Sequence, residues 1–468
     1  MMRRSGILVF ALLLLGGLSA AATAVMRGGS LEWVSDSLTY VYWSVERTPG
    51  YPAILTAVSV VSPSLRLLPW VQNAALILAC VYFAIEVGYL LRSTLACVAV
   101  AIAIFANVYM MQYPLEVRPE CFYITLALIH FGCVLRSFRS PEMVWPVLAG
   151  AALGLAILFR PVGYAMLFAL PSLLIVWRDR RLLRGALLAV ACALPILIAC
   201  TGNYLVRGYF ATQAFGGISL GMQVATMIPP RIESVNADAL SRAYTALEPL
   251  RRAEARAGSW PMRDLVETVI CGDTLAPVSQ LAADIVDATP LRWKHDNVYW
   301  RETAMDAVAW DIATKSMALD PVAYLAKVAR QLYGLWFLHQ IIESHTATDL
   351  TALLDDTVGA AMTVTMTTSV KIVPNWVWVV KTLIFAAMLA AAVLVIVLAP
   401  FRRDPALRGL AYLALSTMCY FGVTAGVEVA ISRYSLIAWP AQCAVLVGTV
   451  FLIRRFVTMP RTQSREGA

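Results

Sequence analysis

The sequence predicts an all-α polytopic integral membrane protein, and three observations carry that reading. Its 468 residues are 60% hydrophobic and only 14% charged, with a mean hydropathy of +0.71. A soluble domain carries roughly 25% charged and about 45–50% apolar residues. Apolar stretches near the length of a bilayer crossing, about 20 residues, recur along the chain, and arginines collect between alternate stretches. This composition excludes a soluble globular enzyme, a disordered chain and a collagen-like one. In a soluble protein the net charge of +8 would suggest nucleic acid. Here it follows from basic residues gathered on the cytoplasmic side of membrane helices, so no nucleic-acid partner is expected. Of the 9 cysteines only Cys271 lies outside an apolar stretch; the others read as small core residues rather than a disulfide framework.

About ten spans are expected, at 6–26, 67–91, 93–111, 120–135, 143–159, 161–177, 185–205, 382–400, 409–427 and 434–453. If Arg3 and Arg4 lie in the cytoplasm, every second connection should be basic. Those connections hold Arg92, then Arg136 and Arg139, then Arg178, Arg180, Arg181 and Arg184, then Arg402, Arg403 and Arg408, and finally Arg454, Arg455, Arg461 and Arg465. The residues up to Ala24 also have the form of a secretory signal with a small-residue cleavage site. We read an uncleaved first helix; either form puts the following residues outside.

Three regions result: a membrane module at 1–205 with the outer loop 27–66, a large outer region at 206–375, and C-terminal helices at 376–468. The outer region carries three of the 4 histidines, His295, His339 and His345. Its charge-free 208–230 stretch, rich in Gly, Thr and Gln, reads as outer-surface structure. Within 322–340, Tyr324, Leu325, Val328, Leu332, Leu335 and Trp336 recur at helical spacing opposite Lys327, Arg330 and Gln331, the pattern of an amphipathic interfacial helix.

Ionisable residues at membrane depth are expensive and therefore informative. The first outer loop places Asp36 ahead of Tyr40, Tyr42 and Trp43, then Arg47 and Pro49-Gly50-Tyr51-Pro52. This reads as a short surface helix ended by a turn, with Asp36 either its cap or a reactive group and Arg47 either a headgroup anchor or a ligand. Glu116, Arg118 and Glu120 crowd into five residues before the fourth span, where Glu120 also suits the helix macrodipole. Arg160-Pro161 opens another helix, and Glu428 precedes Ser432-Arg433-Tyr434. Together these put Asp36, Arg47, Arg118, Glu120, Arg160 and Arg433 at one depth on one face. Arginine binds phosphate through a planar fork of donors. A carboxylate among arginines suits deprotonation of a hydroxyl while a phosphate departs.

At these residues the chain resembles the GT-C superfamily of polyprenyl-phosphate-sugar-dependent glycosyltransferases. The similar members are the bacterial branch related to protein O-mannosyltransferases and the lipid A aminoarabinose transferase. Four segments carry the resemblance: Asp36 with Tyr40 after the first helix, Arg47 to Pro52, Arg118-Pro119-Glu120, and Arg433-Tyr434 with Pro440. It implies an enzyme of the bacterial inner membrane with its site on the periplasmic side. The implied donor is a polyprenyl-phosphate-linked sugar and the acceptor a glycan, glycolipid or protein hydroxyl, among membrane lipids. Asp36 would be the base of an inverting single displacement. Arg118, Arg433, Arg47 and Arg160 would meet the phosphate, and Tyr40, Glu120, Tyr434 and His295 would position substrates; His295 reads equally as a solvated loop histidine. Many relatives show two adjacent acidic residues in the first loop, whereas Asp36 is followed by Ser37, which weakens the case for a divalent metal. Larger members also have more helices and a globular C-terminal domain. An O-antigen polymerase or ligase fits the outer arginines equally but the first loop less well. A secondary transporter would place ionisable residues near the midplane, where this chain has almost none; Glu86 lies near an inner end and Lys381 near the outer interface.

Overall fold

A computed structural model describes residues 5–28, 31–34, 36–177, 179–233, 235–256, 271–288, 299–337, 342–344, 368–370, 375–402, 404–427 and 432–458. Helices occupy all ten stretches expected to be apolar crossings. Among the described residues six of them are long and apolar enough to cross a membrane: α1 (Ser5–Met26), α4 (Leu68–Leu91), α7 (Glu120–Ser137), α10 (Arg181–Arg207), α18 (Pro405–Val427) and α19 (Ser432–Thr458). A seventh arises if α5 (Thr94–Phe105) and Val108–Leu115, which opens with α6 (Val108–Gln112), form one broken span, bent by 64°. The break falls at Asn107, whose side chain accepts from the Met110 N–H and so starts a new helix.

Three of the ten apolar stretches remain outside that group among the described residues. The 16 residues of α8 (Val144–Phe159) reach about 24 Å, less than the roughly 30 Å of hydrocarbon. The stretch expected as one helix at 161–177 is a 3-10 helix, Pro161–Ala169, followed by α9 (Leu170–Val176). Pro161 and Pro171 each remove a backbone donor, which favours such a break. The described apolar part of α17 (Asn375–Leu398) is Leu383–Leu398.

One core runs through these helices, from Leu68 and Leu76 through Phe83, Ile124 and Leu153 to Leu410 and Phe421. Its tightest seam joins α8 to α10. A Cβ on Gly150 would lie 2.2 Å from the Leu188 carbonyl oxygen, and one on Gly154 2.2 Å from that of Cys192. These two glycines, four residues apart, let the backbones touch, as small residues do between membrane helices. At mid-depth His130 of α7 has Nε2 2.7 Å from the Tyr412 hydroxyl and Nδ1 2.9 Å from the Ala149 carbonyl oxygen. At the basic end Arg136 and Arg139 both donate to the buried Glu86, and Arg184 donates to the Ser137 carbonyl.

The outer region has its own core, around Leu240, Leu247, Leu281, Ala282 and Ile312. It is built from α11 (Gly216–Gln223), α12 (Ala237–Ala246), α13 (Glu248–Arg256), α14 (Cys271–Ala288) and α15 (Trp300–Leu319). Asp306 caps α11 from outside, accepting from Gly217 N at 2.7 Å and Ile218 N at 3.0 Å. Two three-residue strands, β1 (Ile342–Ser344) and β2 (Thr368–Val370), pair antiparallel and are the exception to an all-α chain. A helix covers the amphipathic stretch as α16 (Pro321–Phe337), and its polar residues turn into the protein. Lys327 is buried and donates to Thr226 Oγ1 at 2.8 Å, Gln331 donates to Gln223, and the Tyr324 hydroxyl donates to the Gly426 carbonyl at the end of α18. Val322 and Leu325 face outward, 75% and 63% exposed. Near a bilayer the polar edge finds hydrogen-bond partners in protein, while the apolar edge is free to meet lipid.

Replacing Gly154 by valine should force α8 and α10 apart and destabilise the protein by about 1–3 kcal/mol, as overpacking does. Thermal unfolding in detergent checks this; an unchanged midpoint would show that the seam tolerates a side chain.

Candidate active site

The first outer loop is built from two short helices rather than one. The helix expected between Asp36 and Arg47 is only α2 (Ser37–Val41), followed by a turn with Trp43 at φ +47°. Pro49 does not end that helix; it caps the start of α3 (Gly50–Val61), an apolar helix not foreseen. Proline suits a helix start, where its missing N–H has no partner to lose.

Four hydrogen bonds and one close backbone approach draw separate segments to one place. Glu32 N donates to the Leu115 carbonyl at 2.7 Å and Val117 N to that of Glu32 at 3.0 Å, joining the first loop to the second in a single β-bridge. The Ser37 hydroxyl donates to the Val117 carbonyl at 3.0 Å. The Thr48 hydroxyl donates to the Phe159 carbonyl at 3.1 Å, and a Cβ on Gly50 would stand 2.6 Å from the Leu158 carbonyl oxygen. Only a glycine there lets Arg47 approach the end of α8, where Arg160 stands.

Each of three gathered arginines faces a carboxylate. Arg47 Nη2 lies 3.2 Å from Asp36 Oδ1, Arg118 3.0 Å from Glu116, and Arg160 3.0 Å from Glu120. Asp36 occupies the N-cap position of α2, but its side chain accepts no capping hydrogen bond, so the carboxylate is turned to Arg47 instead. Glu120 opens α7 and is only 1% exposed; its partner is Arg160 as well as the helix start. Arg47 also donates through Nε to Thr39 Oγ1 at 2.7 Å and through Nη1 to the Tyr40 hydroxyl at 3.4 Å. Tyr40 is buried among these groups, edge-on to Tyr51 with ring centres 5.3 Å apart. Burial pushes its phenol above the ordinary range; Arg47 and then Arg160 pull the other way, while Glu120 and Asp36 reinforce burial. Tyr40 thus stands in the field of all four. Burial likewise raises the carboxyls of Glu46 and Glu116, against Arg47 and Arg118 respectively.

The site end of α7 and the basic end at Arg136 are separated by the length of that helix, 18 residues or about 27 Å. Of the remaining sequence-expected residues, Arg433 and Tyr434 stand at the start of α19, and their side chains lie outside the described residues, as does His295. Among the described residues no three His, Cys, Asp or Glu side chains come together as a metal site. Asp36, Glu116 and Glu120 each face a guanidinium instead of sharing a point of convergence, so this donor set does not fit a metal.

Arg207, at the end of α10, was not singled out by sequence. Its Nη2 donates to the Trp43 carbonyl at 2.8 Å, and its guanidinium lies 4.6 Å from the Trp43 ring and 5.2 Å from that of Tyr299. With Ala214 N donating to the Val45 carbonyl at 2.8 Å, it fastens the outer region to the strained turn. Its place at the outer end of a span was the signal that could have found it.

No family model matches the chain and no curated protein matches it. Two solved structures are similar to it, both at 12% identity. One is the archaeal oligosaccharyltransferase AglB from Archaeoglobus fulgidus, in complex with an inhibitory peptide and a dolichol-phosphate. It covers 96% of this chain with a TM-score of 0.49, and the chain spans 50% of its length. The other is ArnT from Cupriavidus metallidurans, bound to undecaprenyl phosphate, covering 92% of this chain and 78% of its own with a TM-score of 0.29. Both are GT-C glycosyltransferases, the group that the outer-loop segments resemble. At these scores and this identity neither likeness assigns an activity or a residue role.

Removing Glu120 alone (Glu120→Ala) should cost about 3–5 kcal/mol, because it strands a buried guanidinium, whereas replacing both partners by methionine should recover most of that loss. Unfolding in detergent distinguishes the two. Glu46 supplies a pH test. Its raised carboxyl makes the folded state bind that proton more tightly than the unfolded chain does. The stability it contributes is present below the ordinary carboxylate pKa and lost as pH rises through the folded value. Glu46→Gln should therefore gain thermal stability relative to wild type on going from about pH 4 to 7; parallel curves would show that the group does not titrate differently on folding.

Proposed function

We propose that this protein is a membrane glycosyltransferase that moves a sugar from a polyprenyl-phosphate-linked donor to an acceptor hydroxyl on the outer face of the membrane. The observation that supports this most is the meeting of Asp36 and Arg47 with Glu116–Arg118 and Glu120–Arg160 at the non-basic end of the helix bundle. A phosphate tethered to a lipid stays at headgroup depth, and arginines at that depth suit it. Asp36 is the general base. It takes the acceptor proton as the acceptor oxygen attacks the anomeric carbon, and the carbon–oxygen bond to phosphate breaks with its electron pair leaving on the phosphate. One displacement at that carbon inverts it.

Arg47 and Arg118 hold the departing phosphate, joined by Arg433 from the start of α19. Arg160 serves chiefly by fixing Glu120. Tyr40 and Glu120 position the base and Arg47, and Tyr434 and His295 line the acceptor side. The outer helices, fastened to the first loop by Arg207, shape the acceptor pocket, and the apolar edge of α16 rests on lipid. The region boundaries at 205 and 375 belong to the same reading.

Purified protein in nanodiscs should release polyprenyl phosphate from one member of a panel of polyprenyl-phospho-sugars. Asp36→Asn should lower that rate at least about 100-fold, the lower range of general-base contributions, with insertion unchanged. Wild-type turnover by the Asn variant would remove Asp36 as the base. Arg118→Ala should raise the donor KM roughly tenfold or more, as loss of a charge-assisted hydrogen bond does; an unchanged KM would take Arg118 out of the phosphate site.

A further inference from the structure

The loop that carries Glu116 and Arg118 opens with a single 3-10 turn, Tyr113–Leu115, so most of its backbone must find partners elsewhere. The Tyr113 carbonyl accepts from Glu116 N at 3.1 Å, that of Leu115 from Glu32 N at 2.7 Å, and that of Val117 from the Ser37 hydroxyl at 3.0 Å. The other two carbonyls of the run, those of Pro114 and Glu116, accept from one side chain. Gln72 Nε2 reaches them at 2.9 and 3.1 Å. Gln72 stands in the second turn of α4 and is fully buried. Its Oε1 accepts from the Tyr51 hydroxyl at 3.3 Å. Its main-chain carbonyl accepts from the Cys121 thiol at 3.3 Å, beside Glu120 on α7. A buried amide is costly unless both its ends are satisfied, and here donor and acceptor are both engaged.

Tyr51 extends the connection to the first loop. It is buried on α3, edge-on to Tyr40, and the Arg118 backbone also hydrogen-bonds its hydroxyl. Tyr40 in turn meets Arg47. Gln72 and Tyr51 therefore hold the backbone at Glu116 and at Arg118, while Tyr51 packs on the ring that Arg47 contacts. The Arg118 guanidinium faces Glu116 at 3.0 Å, but its buried Nε has no hydrogen-bond partner among the described residues. Its backbone is thus held more completely than its side chain.

We propose that Gln72, acting with Tyr51, is a positioning residue for the donor phosphate: it sets Arg118 relative to Arg47, so that arginines from two loops meet one phosphate group. This rests on the lipid-phosphate reading above. Gln72 reaches Arg118 only through the loop backbone, and fixing that backbone in advance spares the ordering cost that binding would otherwise carry. The role requires an amide. It must donate to two carbonyls and accept from a phenol at the same end of one side chain, which neither a leucine nor an ionised glutamate can do.

The test is equilibrium binding of undecaprenyl phosphate, a lipid monophosphate, to the full chain in nanodiscs. Gln72→Leu keeps much of the volume and removes the amide; it should weaken binding about tenfold, the upper range for one net hydrogen bond. Arg118→Ala should weaken binding as well, and adding Gln72→Leu to it should cost nothing further, the coupling expected when one residue acts through the other. A merely structural glutamine would lower affinity by the same factor in both backgrounds, and that result overturns the proposal. Tyr51→Phe removes the hydroxyl while keeping the ring against Tyr40; it should show the same dependence on Arg118 and replaces Gln72→Leu where that variant fails to insert. Wild-type affinity in the Gln72 variant also overturns the proposal and leaves the glycosyltransferase reading standing. No binding of the lipid phosphate by wild type overturns both.

Discussion

A charge at the edge of a bilayer must have a partner, and the end of this bundle opposite its basic clusters is organised around that requirement. Arg47, Arg118 and Arg160 come from three segments far apart in sequence, and each stands on a carboxylate. Glu120 and Arg160 bind α7 to the end of α8; Asp36 and Arg47 hold the first loop closed on itself. The close approach at Gly50 brings the first loop against the end of α8, and those at Gly150 and Gly154 seat α8 on α10. The same rule governs the opposite end, where Glu86 answers Arg136 and Arg139. Two charged layers with an apolar body between them, crossed at mid-depth by His130 and Tyr412, describe the bundle more completely than a count of helices.

Much of this was legible in the chain. Apolar runs and alternating arginine clusters locate the helices, because hydrocarbon thickness and the cytoplasmic preference for positive charge act on composition alone. Asp36, Arg47, Arg118, Glu120, Arg160 and Arg433 were read as one layer; of these, Asp36, Arg47, Glu120 and Arg160 surround Tyr40, while the Arg433 side chain lies outside the described residues. Pairing was not legible. Nothing in Arg118-Pro119-Glu120 says that Glu120 reaches Arg160 while Arg118 turns back to Glu116, since that depends on how α7 meets α8.

Local chemistry misled where two rules compete. Pro49 and Pro52 read as a turn that ends a helix, yet proline also opens one, and α3 is the result. The 161–177 run has a span's composition, but Pro161 and Pro171 break it into a 3-10 helix and a short α-helix. Along α16 spacing identified an amphipathic helix but not what its polar residues meet. Hydropathy ranks a lysine as solvent-facing, while Thr226 and Gln223 offered Lys327 and Gln331 partners inside the protein that no local pattern encodes.

The pairing of these arginines with carboxylates bears on selectivity. A membrane surface is crowded with phosphodiester headgroups, all chemically close to the linkage of a lipid-borne sugar. A cluster of bare arginines would be filled by these abundant bystanders. Under the proposed reading, arginines that already face carboxylates offer a passing headgroup less than bare ones would, and a ligand that also places a sugar ring and a long isoprenoid tail has further contacts to draw on. Discrimination here would come from what the resting site withholds as much as from what it offers.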